Sequence, residues 1–228
     1  MRDDRSKAMR LIDVSHTLEA GMITYKGLPA PVICDYLSRE ASRKVYAAGT
    51  EFQIGRIEMV GNTGTYIDSP FHRYADGMDL SELPLDSLAN LPLVVAHVEP
   101  GGSRAIGKLP LSVGDLRGKA VLIRTDWDSR WRTDSYFEGF PHLTVELARW
   151  LRDAGVALVG IDSHNIDNTD TGERPVHSTL LGADIPIVEH LCCLSTVPQR
   201  GAKFFAVPVK IRGFGTFPVR AFAAVEVE

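Results

Sequence analysis

Three stretches of the chain are almost unbroken apolar sequence: LPLVVAHVE over 91–99, KAVLIRT over 119–125 and VALVGID over 156–162. Successive side chains of a strand point to opposite faces of a sheet, so a strand with one wet face alternates apolar and polar residues. Runs without that alternation are expected where both faces are covered. These segments therefore predict buried strands, and they limit the chain to architectures in which a sheet has something packed on each side.

Few helices are available to do the covering. The spacing predicts one over Thr144–Ala154, where Leu147, Trp150 and Leu151 fall at i, i+3 and i+4. Thr144 can cap its start, and Gly155 suits the left-handed position after its end. A second, shorter helix is predicted at STLLGAD, stopped by Gly182. The rest reads as strand and loop. LIDVS at 11–15 is short and apolar, and EFQIGRIEMV at 51–60 changes phase around Gly55, which predicts a bulge or bend. Near the end, KFFAVPVKIRG and FPVRAFAAVEV return to strands, with Pro208 and Pro218 confining them to edges or strand starts. Many strands, few helices and no strict βαβα alternation predict a mixed α/β domain. No repeat or linker divides the chain, so 11–228 is expected to be a single domain after a charged, flexible N-terminal tail over 1–10.

Composition narrows the function classes. The 228 residues are 44% hydrophobic and 24% charged, with a net charge of −4. No basic run or stripe favours nucleic acid or an anionic membrane, and no apolar run approaches the roughly 20 residues needed to span a bilayer. The three cysteines, Cys34 and the neighbours Cys192 and Cys193, form no disulfide framework or CxxC motif. They read as small core residues of a cytoplasmic protein.

The segment GNTGTYIDSPFH over 61–72 carries chemistry. Asp68 and His72 flank Pro70, which holds its predecessor extended and stiffens the backbone between them. The glycine turn before them can bring backbone N–H groups close to a ligand. On these twelve residues alone a structural turn, with Asp68 capping amides and His72 packed on Phe71, is the favoured reading.

Four blocks in order extend the pattern: LIDVSHTLEAGMITYKGLP, the GTYIDSPFH segment, FPHLTVELARWLRDAGVALVGIDSHNID and VHSTLLGADIPIVEHL. Together they resemble the metal-dependent cyclase/hydrolase family that includes bacterial kynurenine formamidase and isatin hydrolase, whose signature is His-x-Gly-Thr-His-x-Asp-x-Pro-x-His. Gly64, Thr65, Asp68, Pro70 and His72 match it. The resemblance implies a swivelling β/β/α fold, a homo-oligomer (dimer or tetramer), and a small-molecule substrate among amides, formanilides and cyclic amides or esters. Asn62 and Tyr66 stand where the family has two metal-binding histidines. An amide oxygen is a poor zinc ligand, and a phenol binds only when deprotonated. By resemblance the remaining ligands are Asp68, His177 and Glu189, enough for one Zn²⁺ or Mn²⁺ with an open position, and His72 is the proton-transferring residue.

Three functions fit these residues. The preferred one is a one-metal hydrolase with His72 as general acid/base and Tyr66 donating to the developing oxyanion. A metal-independent cyclase, dehydratase or isomerase using His72 and Tyr66 is the second, and a non-catalytic homologue the third. Tyr25, Thr65, Asn62 and Arg73 are expected to bind substrate, with Arg73 or Lys26 meeting a carboxylate. His164 could fill the gap left by a missing ligand but is not among the expected site residues, while His16, His97, His142 and His190 read as structural. The loop over 126–137 is expected to line a pocket or reach a dimer contact.

Overall fold

The three apolar runs lie side by side at the centre of one sheet. In this computed structural model, which describes residues 8–99, 101–112 and 116–227, they form β5 (Leu91–His97), β7 (Ala120–Arg124) and β9 (Leu158–Ile161), all parallel. β10 (Ile187–Glu189) continues the parallel set beside β9. Beyond it, β4 (Tyr66–Asp68) and β12 (Thr216–Pro218) add antiparallel. On the other flank, β11 (Ala202–Phe205), β13 (Phe222–Glu226) and β1 (Met9–Asp13) complete a nine-stranded sheet in the order β1-β13-β11-β5-β7-β9-β10-β4-β12. Two short pairs stand apart from it: β2 (Val32–Leu37) with β3 (Ile54–Glu58), and β6 (Ala105–Ile106) with β8 (His142–Leu143).

The helices are α1 (Arg39–Ser42), α2 (Val145–Ala154) and α3 (Pro175–Leu181). Leu147 and Leu151 of α2 and Val176 and Leu180 of α3 cover one face of the sheet through Val121, Ile123, Val159 and Ile161. The opposite face buries Leu93, Leu122 and Leu158 under irregular segments that carry Leu80, Leu88, Leu194 and Val197. β7 thus sends alternate residues into two cores, which is why its sequence shows no alternation. The mixed α/β class with few helices is as expected from the sequence.

Element boundaries show where local sequence sufficed. Thr144 Oγ1 accepts from Leu147 N, and Gly155 is left-handed at φ 72°, so both ends of α2 are as its sequence predicts. α3 ends at Gly182 as expected but starts at Pro175, three residues before the predicted STLLGAD segment, because a carboxylate from the preceding loop takes its first amides. The bulge expected at Gly55 falls on the partner strand. Asp35 pairs with Gly55 and Leu37 with Ile54, which leaves Tyr36 as the extra residue. Pro218 lies on the edge strand β12, where its missing N–H costs no ladder bond.

Two expectations need correction. Residues 1–7 of the expected tail lie outside the described residues, but Met9 and Arg10 are in β1, paired with Glu226 and Val225. Of the three cysteines only Cys192 is buried; Cys34 and Cys193 are exposed, because β2 packs on no core and Cys193 sits in a left-handed turn. None of the described helices is long and apolar enough to cross a membrane.

Candidate active site

Sheet register assembles the centre of the site. Tyr66 and Asp68, two apart on β4, share a face; Glu189 of β10 pairs with Tyr66, and Thr216 of β12 pairs with Asp68. The chain then turns through Pro70–His72 and sets His72 beside Asp68, with Nδ1 3.7 Å from Oδ1. Gly215 makes this turn possible, since a Cβ there would come 2.5 Å from His72 N.

His177 arrives from α3. Asp167 caps that helix, accepting from the backbone N–H groups of Val176 and His177 at 2.8 and 2.9 Å. The same carboxylate lies 2.7 Å from His177 Nδ1, which fixes the ring and turns Nε2 toward the β4 residues. His177 Nε2 is 3.7 Å from both Asp68 Oδ2 and Glu189 Oε1. Burial would lower the pKa of His177, but the carboxylates of Asp167, Asp68 and Glu189 outweigh it and raise it to about 10. Burial pushes Glu189 up to about 7, with the positive charge of His177 pulling against it. Burial also opposes ionisation of Asp68, yet His72, His177 and Thr216 together hold it below the usual carboxylate range.

Hydrogen bonding assigns roles to Thr216, His72, Glu189 and Tyr66. Thr216 Oγ1 lies 2.5 Å from Asp68 Oδ1 and 2.7 Å from His72 Nδ1. An ionised carboxylate only accepts, so the threonine proton goes to Asp68 and His72 Nδ1–H donates to the threonine oxygen. That assignment leaves the lone pair of His72 on Nε2. Glu189 Oε2 accepts from the Tyr66 hydroxyl and Oε1 from Ile166 N at 2.6 Å. Tyr66 is fully buried, and burial raises its pKa well above the usual phenol value, so it stays protonated. The hydroxyl expected to serve an oxyanion therefore donates to Glu189.

Asp68 Oδ2 is the anomaly. It is buried without a hydrogen-bond partner, an expensive position for a carboxylate oxygen. Ligand atoms of Asp68, His72 and His177 lie within 4.8 Å of one another. Neighbouring ligands at about 2.1 Å around a tetrahedral cation sit roughly 3.4 Å apart, close to the 3.7 Å separations around His177 Nε2. The residues fit one divalent cation held by Asp68 and His177, with Glu189 or His72 adjacent and Asp167 orienting the imidazole as outer partners do in metal sites.

A cavity of about 250 Å³ opens onto this centre, lined by Tyr25, Asn62, Arg73, Asn165, Arg174 and Leu28 beside Tyr66, His72, His177 and Glu189. Asn62, Tyr25 and Arg73, expected to bind substrate, thus line the cavity. Thr65 does not: it lines a separate cavity, and its Oγ1 accepts from His16 N and donates to His190 O. Lys26 instead pairs with exposed Glu138. His164 is buried with Nδ1 unpartnered among the rings of Tyr25, Tyr136 and Phe140, and burial lowers its pKa to about 4. Residues of the 126–137 loop pack over this aromatic group rather than the cavity, with Trp131 stacked on His16 at 3.9 Å. Of the histidines read as structural, His97 pairs with Asp126 at 3.0 Å.

Asp167, Thr216 and Arg174 are the site residues that sequence reasoning missed. Pro175 as a helix-start residue signals a nearby cap for Asp167. For Thr216, which depends on strand register 148 positions from Asp68, no local signal exists.

The Cyclase family model matches residues 12–168. The kynurenine formamidase of Bacillus anthracis is 28% identical over 217 residues, covering 94% of this chain and 97% of that protein. That of Erythrobacter litoralis (strain HTCC2594) is 32% identical over 167 residues, covering 72% and 73%. A solved protein described as a potential metal-dependent hydrolase with cyclase activity superposes with a TM-score of 0.74 at 26% identity, covering 97% and 100%. Isatin hydrolase A from Labrenzia aggregata shares the fold, with a TM-score of 0.77 at 21% identity and coverage of 96% and 94%. With more than half its length matched by the family model, and the fold in agreement throughout, the chain belongs to the Cyclase family.

Proposed function

We propose that the protein is a metal-dependent hydrolase of a small non-peptide amide, formanilide or cyclic amide or ester. The observation that carries the reading is the buried, partnerless Asp68 Oδ2 facing His177 Nε2 at 3.7 Å beside the cavity. Relatives named kynurenine formamidase and a solved relative described as a metal-dependent hydrolase support the class. A bound Zn²⁺ or Mn²⁺ would supply Lewis acidity and lower the pKa of water. Asp68 and His177 would hold it, with Glu189 completing the set.

The chain's own residues do the rest. His72, its side chain about one-third exposed, takes a proton at Nε2 and returns it to the leaving nitrogen or oxygen. Thr216 and Asp68 hold its ring and stabilise the imidazolium. Asp167 holds His177 in the tautomer that frees Nε2. Arg73 gives its Nε–H to Ser178, and Arg174 gives Nη1–H groups to three backbone carbonyls. Both are thereby positioned to receive a carboxylate on the substrate. Tyr25, above the cavity, supplies a ring face.

The test combines elemental analysis with hydrolysis assays on N-formylkynurenine, formanilides and isatin. One divalent ion per chain with turnover is expected; metal-replete protein inert on every amide and cyclic amide would overturn the proposal. The Glu189 carboxyl, raised to about 7 and bonded to Tyr66, favours one alternative, metal-free acid/base chemistry. Turnover undiminished in rigorously metal-free protein selects that alternative, and absence of both metal and turnover selects a non-catalytic homologue.

A further inference from the structure

Residues 165–167 meet the centre one after another. Ile166 N donates to Glu189 Oε1 at 2.6 Å, and Asp167 holds His177 through Nδ1. Asn165, the first of the three, lines the same cavity and is only 4% exposed. Its side-chain oxygen accepts from Asp167 N at 2.9 Å and closes a tight turn. Only the oxygen of an amide can receive an N–H group, so this bond fixes which way the side chain faces. The NH₂ end is left over, and among the described residues Nδ2 has no hydrogen-bond partner. The turn needs the oxygen alone, and an aspartate would close it equally well. The amide nitrogen is the part that the turn does not explain.

We infer that Asn165 is a catalytic residue, whose Nδ2–H donates to the oxygen that turns negative as the substrate carbonyl is attacked. The inference rests on the hydrolase reading. As the water oxygen adds to the carbonyl carbon, the π pair of the C=O bond moves onto oxygen and His72 Nε2 takes a proton from the water. As the bond to the leaving nitrogen or oxygen breaks, the same pair re-forms the carbonyl, and the leaving atom takes the proton from His72. A donor aimed at that oxygen favours the charged stage over the neutral ones. Tyr66, the hydroxyl expected for this task, is committed to Glu189. Asn62, the other amide of the cavity, is half-buried, and neither end of its side chain is hydrogen-bonded among the described residues. Asn165 is held before the substrate arrives, so it needs no reordering when charge develops, and that is what makes such donors effective.

The test compares N165D and N165A with the parent, each checked for metal content and, by circular dichroism, for folding. N165D keeps the oxygen that closes the turn and loses the donor; N165A loses both and adds no charge. Steady-state kinetics on N-formylkynurenine, formanilide and isatin should show kcat lowered by about 10²–10³-fold in both, the usual worth of one such donor. KM should hardly change, because the bond strengthens only as charge develops. Benzylphosphinate, whose stable P–O⁻ stands where a formanilide would carry its oxyanion, should bind both variants less tightly in calorimetry. Parent-like kcat in N165D would leave Asn165 with the turn alone, and a loss confined to N165D would be the work of its added charge. Either result overturns the inference, as does a loss seen only in KM. A parent that hydrolyses nothing, yet binds benzylphosphinate less tightly in both variants, would overturn the hydrolase reading and uphold the donor. A parent that hydrolyses nothing and binds it alike in all three proteins would overturn both.

Discussion

Asp68 stands at the crossing of two sets of partners, and its neighbours divide the labour of the site. Oδ1 belongs to Thr216 and, through it, to His72; Oδ2 has no partner and faces His177. His72→Ala should lower kcat by about 10²–10⁴-fold, the usual worth of a positioned acid/base, with the unfolding temperature unchanged; steady-state kinetics would show it. Thr216→Val should cost roughly 10–100-fold in kcat while KM holds, as loss of an orienting partner does. Loss confined to KM would remove Thr216 from the proton path. Asp167→Asn should weaken metal affinity by about 10–100-fold in a chelator competition, because His177 then loses the partner that fixes its tautomer. His72 and Asp68 were legible in sequence because their segment resembles a family signature in company with three other blocks, whereas the proline spacing alone fitted a structural turn. Thr216 was not, since its contact exists only through the pairing of β12 with β4.

Elements bring these side chains within reach of one another by tight approach at glycines. Gly215 leaves no room for a Cβ beside His72, so the entry to β12 and the turn at 70–72 pack backbone to backbone. Gly215→Ala is expected to destabilise by about 1–3 kcal/mol, as overpacking does, and to reduce activity further than stability loss explains. Denaturant unfolding and turnover on the same preparation would separate the two effects. The helix α2 was readable from the sequence because its cap, apolar stripe and stop all lie within the segment. The start of α3 was not, because the group that sets it is the carboxylate of Asp167, eight residues upstream of Pro175.

Across the whole molecule the central strands serve both cores. Leu122 points into one and Ile123 into the other. Each change to Ala should cost about 2–5 kcal/mol, and each should shift one shared unfolding transition. Two separate transitions in calorimetry would contradict a single cooperative domain. The unbroken apolar runs announced this centre, since burial on both faces erases alternation. Strand order stayed hidden, because nothing local dictates that β13 inserts between β1 and β11 or that β12 caps the far edge.

That insertion bears on how the protein matures. On a ribosome, residues 222–226 emerge after every other described strand, yet they supply the interior neighbour that β1 and β11 share. Until they appear, the first strand has no seat, and Thr216 has only just followed Asp68 into place. A nascent chain stalled short of this point would expose an open sheet, so hydrolytic competence and protection from proteases should arrive together, once β13 has inserted.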